Sequence, residues 1–204
     1  MTGLLMKDLL RFRWSILGML GVMATCGVVF SMRGDGSVSL FCGMSIVLVL
    51  IITDSSFLDD ALARWDRYAL CLPVRRRDLV ASKYLFVITL AVIGAALAFV
   101  MGTVIGFLCQ ELLLEELVSS IAAAIGEGLL IMSIQLPLIF KFGIKKFRFI
   151  ILGAMLISLV MISLLPLLNL SILMTQAWLA PLAGLLFLGL SYFISVAIFQ
   201  RKEL

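Results

Sequence analysis

The chain has 204 residues, of which 63% are Ala, Val, Ile, Leu, Met, Phe, Trp, Tyr or Cys and only 14% carry a charge. Together with a mean hydropathy of +1.22, this excludes a soluble globular domain, which needs polar residues to cover its core. The net charge of +4 does not indicate a nucleic-acid partner, because the basic residues stand at the ends of apolar runs, where they anchor membrane spans against anionic headgroups.

In chain order, the first segment sets Leu5, Leu9 and Phe12 on one side and Lys7, Asp8 and Arg11 on another, the period of a helix lying in the membrane interface. A plain stop-transfer flank is the competing reading. No A-x-A site follows, so a cleaved signal sequence is not expected. Uncharged or nearly uncharged stretches then predict spans at 14–32, 38–57, 84–108, 119–140, 149–168 and 178–199, each long enough to cross the hydrocarbon core. The last two follow from length: Phe149 to Gln200 carries no charge and is about twice what one crossing needs, so it is expected to form a hairpin. At about 20 residues per crossing, six spans leave no room for an extramembrane domain. The expectation is one all-α integral membrane domain over residues 1–204, with an N-terminal interfacial helix and a cytoplasmic helix between the second and third spans.

Six spans put both termini on one side, and fifteen of the sixteen lysines and arginines lie there, with Arg33 alone opposite. The positive-inside rule makes that side cytoplasmic, placing the chain in a plasma membrane with short external connections.

Little suggests catalysis. Histidine is absent, and Cys26, Cys42, Cys71 and Cys109 stand singly, so neither a metal site nor a disulfide framework is implied. There is no G-x-S-x-G and no S-x-x-K with an intramembrane lysine. The chain also lacks G-x-x-x-x-G-K-[ST] and is not expected to hydrolyse nucleotide itself. In the third span Gly94, Ala98, Gly102 and Gly106 recur every four residues, a small-residue ridge serving either a dimer seam or close packing within one bundle. Two carboxylates fall inside spans. Asp54, near the cytoplasmic end of the second, is expected to reach headgroups or pair with a nearby Lys or Arg. Glu127, near the middle of the fourth, is expected to face a partner or a cavity, either in a substrate path or as a structural carboxyl. Pro137 is a candidate kink.

The connection from Leu58 to Lys83 is the richest segment. Leu62, Trp65, Ala69 and Leu72 share one face while Asp59, Asp60, Arg64, Asp66 and Arg67 are polar, which predicts a short amphipathic helix ending at Pro73. Arg75, Arg76 and Arg77 follow, as lipid anchors or as a docking surface for a cytosolic protein.

Met6-Lys7-Asp8-Leu9, Trp65-Asp66-Arg67-Tyr68, Leu72-Pro73-Val74-Arg75-Arg76-Arg77-Asp78-Leu79-Val80, Ser82-Lys83-Tyr84, Leu136-Pro137-Leu138, Lys141-Phe142-Gly143 and Lys145-Lys146 resemble, in order and placement, small bacterial ABC-2 type transporter permeases. The resemblance spans the whole chain. It implies a membrane subunit of an ATP-binding-cassette exporter that forms a homodimer or heterodimer and recruits separate cytosolic ATPase subunits, which bind ATP and Mg; no cofactor is expected in this chain. It further implies a coupling role for the loop between spans two and three, with Trp65, Arg67, Tyr68 and Arg75 to Arg77 as contact residues. Peptide, drug and lipid-like substrates all fit that family. A self-contained secondary transporter or channel using Glu127 and Asp54 is the alternative from another class.

Overall fold

The computed structural model describes residues 52–60, 62–63, 76–109, 114–142 and 178–201, with isolated positions 6, 10, 17, 18, 21–23, 25, 26, 46 and 153. Most of the predicted N-terminal interfacial helix and of spans 14–32, 38–57 and 149–168, and the segment holding Trp65, Arg67, Tyr68 and Arg75, lie outside the described residues. Among those described, every regular element is helical. Three helices are long: α1 (Arg76–Cys109), α2 (Leu114–Phe142) and α3 (Leu179–Arg201). Each is long and apolar enough to cross a membrane.

The predicted third, fourth and last spans correspond to these helices, with shifted bounds. Helix α1 starts eight residues before the expected Tyr84, so at 34 residues it is about 50 Å long and exceeds the hydrocarbon core. Lys83, expected in the loop, therefore sits two turns inside α1. Helix α2 starts at Leu114 with Glu115 and Glu116 in its first turn, where the helix dipole favours negative charge. It runs on through Pro137 to Phe142.

Packing partners fix the directions of the helices. Gly126 meets Ala180 and Gly184, Leu129 meets Gly184, Ser133 meets Ser191, and Phe140 meets Phe199. Positions advance together on both chains, so α2 and α3 run parallel. Tyr84, near the start of α1, bonds Ser191 and Ser195 toward the end of α3, so α1 runs antiparallel to both.

Lipid offers no hydrophobic drive for helix association, so close approach must come from small side chains. A Cβ added to Gly126 would lie 2.5 Å from the Ala180 carbonyl carbon, and one on Gly184 would lie 2.9 Å from Leu129 Cβ. The buried stripe of α3 is Gly184, Leu188, Ser191, Ser195 and Phe199, at steps of three and four, while Leu182, Leu186, Leu190, Phe193 and Ile194 are exposed. Three of these five buried residues are small or carry a hydroxyl, while the exposed face is built of large apolar side chains, as a lipid-facing surface allows and water does not. In α1 the ridge Gly94, Ala98, Gly102 and Gly106 is buried within this chain, and Val92, Phe99, Val104 and Phe107 cover the opposite, exposed face.

Candidate functional site

At the Arg76 end of α1 the bundle holds a layer of buried polar side chains, built from α1, α2, α3 and the helical residues 52–60. Lys83, only 8% exposed, projects from α1 toward residues 52–60. Its Nζ makes an ion pair with Asp60 Oδ2 at 2.5 Å and donates to Ser56 Oγ at 2.7 Å. The ammonium also lies 5.3 Å from the ring centre of Phe57, so it faces a carboxylate, a hydroxyl and an aromatic face at once. Ser56 and Asp60 are one helical turn apart and share the face that receives it. Phe57 packs edge-on against Phe140, with ring centres 5.6 Å apart, and Phe140 packs in turn against Phe199 at 5.7 Å. Through these rings the ion pair rests on the ends of α2 and α3.

A second set of contacts lies beside it. The Tyr84 hydroxyl is 2.8 Å from Ser191 Oγ and 2.7 Å from Ser195 Oγ, Ser191 donates to the Ser133 carbonyl at 2.6 Å, and the Tyr84 ring packs edge-on to Tyr192. Gln135 donates from Nε2 to Asp54 Oδ1 at 2.5 Å, joining α2 to residues 52–60. Hydrogen bonds of this kind act as interhelical glue where the surroundings offer no water. Replacing Tyr84 with Phe keeps the ring but leaves the fully buried Ser195 hydroxyl without this partner. The expected loss is about 1 kcal/mol, read as lower thermal stability in detergent; unchanged stability would contradict the assigned contacts.

Several expectations need correction. The amphipathic pattern places Asp60 among the polar residues and Leu62 on the apolar face, yet Asp60 is 5% exposed and Leu62 is 76% exposed. The cause is Lys83, whose charge can be buried only against an anion, so the carboxylate turns inward and carries Leu62 out. Lys83 itself is a bundle residue and not a headgroup anchor. Among the described residues Asp54 pairs with the Gln135 amide, and the lysine within this layer is held by Asp60. Glu127 does not join the layer. It stands on the exposed side of α2, eight residues or about 12 Å along the helix from Gln135.

Of the remaining expected residues, Arg77 is exposed at the start of α1 and Arg76 opens that helix. Trp65, Arg67, Tyr68 and Arg75 lie outside the described residues. The ridge from Gly94 to Gly106 faces the interior of this chain. No spacing in the sequence pairs Tyr84, Gln135, Ser191 and Ser195 with their partners, although Gly184, Ser191 and Ser195 mark one small and polar face of an otherwise bulky span.

A family model described as ABC-2 family transporter protein matches residues 3–200, nearly the whole chain and all three long helices. Comparison with curated proteins and with solved structures gives no match. Because the match runs through nearly the whole chain, including all three membrane-length helices, the chain belongs to the ABC-2 transporter family.

Proposed function

We propose that the chain is the permease subunit of an ATP-binding-cassette exporter, paired with a second permease copy or a related permease and driven by separate cytosolic ATPase subunits. The observation that carries this reading is the family match over residues 3–200, in a sequence with no nucleotide-binding motif of its own. ATP and Mg belong to the ATPase subunits, and this chain's part is to hold the path and to move. The substrate class is a peptide, a drug or a lipid-like molecule.

Six spans with cytoplasmic termini suit the proposal. Parallel helices α2 and α3 require a return crossing in the sequence between them, and the uncharged stretch 149–168 has the length for it. The positive-inside rule then sets the Arg76 end of α1, the polar layer and the connection before it on the cytoplasmic side. That connection is the coupling element. Leu62, large, apolar and exposed, lies at its start, Trp65 and Tyr68 supply aromatic anchors, and Arg67 and Arg75 to Arg77 supply charge for a groove on the ATPase. Because the connection leads directly into residues 52–60 and into α1, a nucleotide-driven shift reaches both.

The test replaces Trp65 and Tyr68 with alanine in the permease and ATPase complex. Losing two aromatic anchors is expected to cost about 2 kcal/mol or more of docking energy, so capture of the ATPase subunit by tagged permease in membranes should fall at least tenfold while the permease stays folded. Undiminished capture and undiminished ATP hydrolysis by the complex would remove the connection from this role.

A further inference from the structure

We propose that Lys83 and Asp60 are positioning residues for transport: their buried ion pair clamps the two roots of the connection between residues 52–60 and α1, so that a push on the connection reaches the bundle as one movement. The inference rests on the coupling role proposed for that connection and adds the means of transmission.

Asp60 lies at the end of the helical residues 52–60 and Lys83 lies two turns inside α1, so the pair joins the chain just before the connection to the chain just after it. The side chains are 7% and 10% exposed, and the ammonium is held on the same side by Ser56 and Phe57. An apolar contact at this place could slide, because one methylene replaces another at little cost. A buried ion pair resists sliding, since pulling its two charges apart in a medium that solvates them poorly is strongly unfavourable. The two roots therefore rotate or tilt together. The aromatic series Phe57, Phe140, Phe199 continues from the pair to the ends of α2 and α3, so the clamped unit bears on both remaining long helices. Without the clamp, a force on the connection would splay residues 52–60 from α1 and be absorbed locally.

The experiment uses the full permease with its ATPase subunits. Asp60→Asn combined with Lys83→Met removes both charges of the pair together, a kind of change that buried pairs commonly tolerate better in folding than loss of one partner. Spin labels on cysteines placed at the exposed positions Phe107 of α1 and Leu186 of α3, with the native cysteines replaced, report the separation at the bundle end far from the connection, without nucleotide and with ATP and vanadate. The expected result is a double variant that captures the ATPase and hydrolyses ATP like the parent, while the nucleotide-dependent change in label separation falls about tenfold. Hydrolysis without movement is a signature that a purely structural role would not give. The proposal is overturned if the variant moves as the parent does. Loss of the folded permease or of ATPase capture also overturns it, because the pair would then serve folding or docking. If the unmodified permease itself fails to capture the ATPase, the coupling role falls as well, and that failure is visible before any substitution is made.

Discussion

Replacing Lys83 alone with methionine is expected to be among the most damaging single substitutions in the described part of the chain. Methionine matches the lysine stem in size and retains its contact with Phe57, but the Asp60 carboxylate, 5% exposed, loses the cation that lies 2.5 Å away. Removing one partner of a buried ion pair typically costs about 3–5 kcal/mol. The expected observation is a sharp fall in thermal stability of the detergent-solubilised protein, with most of the loss recovered when Asp60→Asn is added. Equal stability of the single variant and the parent would mean that the pair is not formed in the membrane.

Substituting Gly126 with valine is expected to have an effect of similar size by a different route. Even the first added carbon would lie 2.5 Å from the Ala180 carbonyl carbon and 2.7 Å from its oxygen. Those are backbone atoms, which cannot rotate aside as a side chain would. Helices α2 and α3 would have to separate, taking Gly184 off Leu129 and loosening the bond from Ser191 to the Ser133 carbonyl. Overpacking of this kind costs about 1–3 kcal/mol, with valine toward the upper end. Gly189, whose added Cβ would meet nothing within 4 Å, is the matched control: Gly189→Ala should leave thermal stability unchanged, and comparable losses at both positions would refute the close crossing at Gly126.

The parts of the fold legible in the sequence are those that depend on counting. Length and lack of charge located α1, α2 and α3 to within a few residues at most ends, because crossing the hydrocarbon core demands a fixed run of apolar residues. The inward face of α1 was legible too. Gly94, Ala98, Gly102 and Gly106 identify it by size, although polarity cannot, since lipid and interior are equally apolar. Residue size left the function of the ridge open, and its burial within this chain accords with close packing inside one bundle.

The polar layer was not legible, for two reasons. Its partners are far apart along the chain: Asp54 and Gln135, Tyr84 and Ser195, Lys83 and Asp60 come from separate elements, and no spacing rule joins them. The amphipathic pattern was also misleading. Around Asp60 and Leu62 it assumes that water lies on the charged side, whereas the nearest demand on the carboxylate comes from Lys83 inside the bundle. The positive-inside count treated Lys83 as one more flanking cation for the same reason. Asp54, expected to reach headgroups or pair with a cation, accepts from the Gln135 amide among the described residues. The partners of the buried polar groups are set by the packing of the helices, which no spacing in the sequence states.

The central claim, that this chain transports only when driven by ATPase subunits it does not itself contain, is tested most directly by purifying the tagged full-length protein from its native membrane. The eluate is assayed for a co-purifying subunit with a Walker motif and for vanadate-sensitive ATP hydrolysis. The account predicts both, with hydrolysis lost when the Walker lysine of that subunit is replaced and none from the permease alone. Solute or ion flux through liposomes containing only the purified chain, without ATPase or nucleotide, would contradict it.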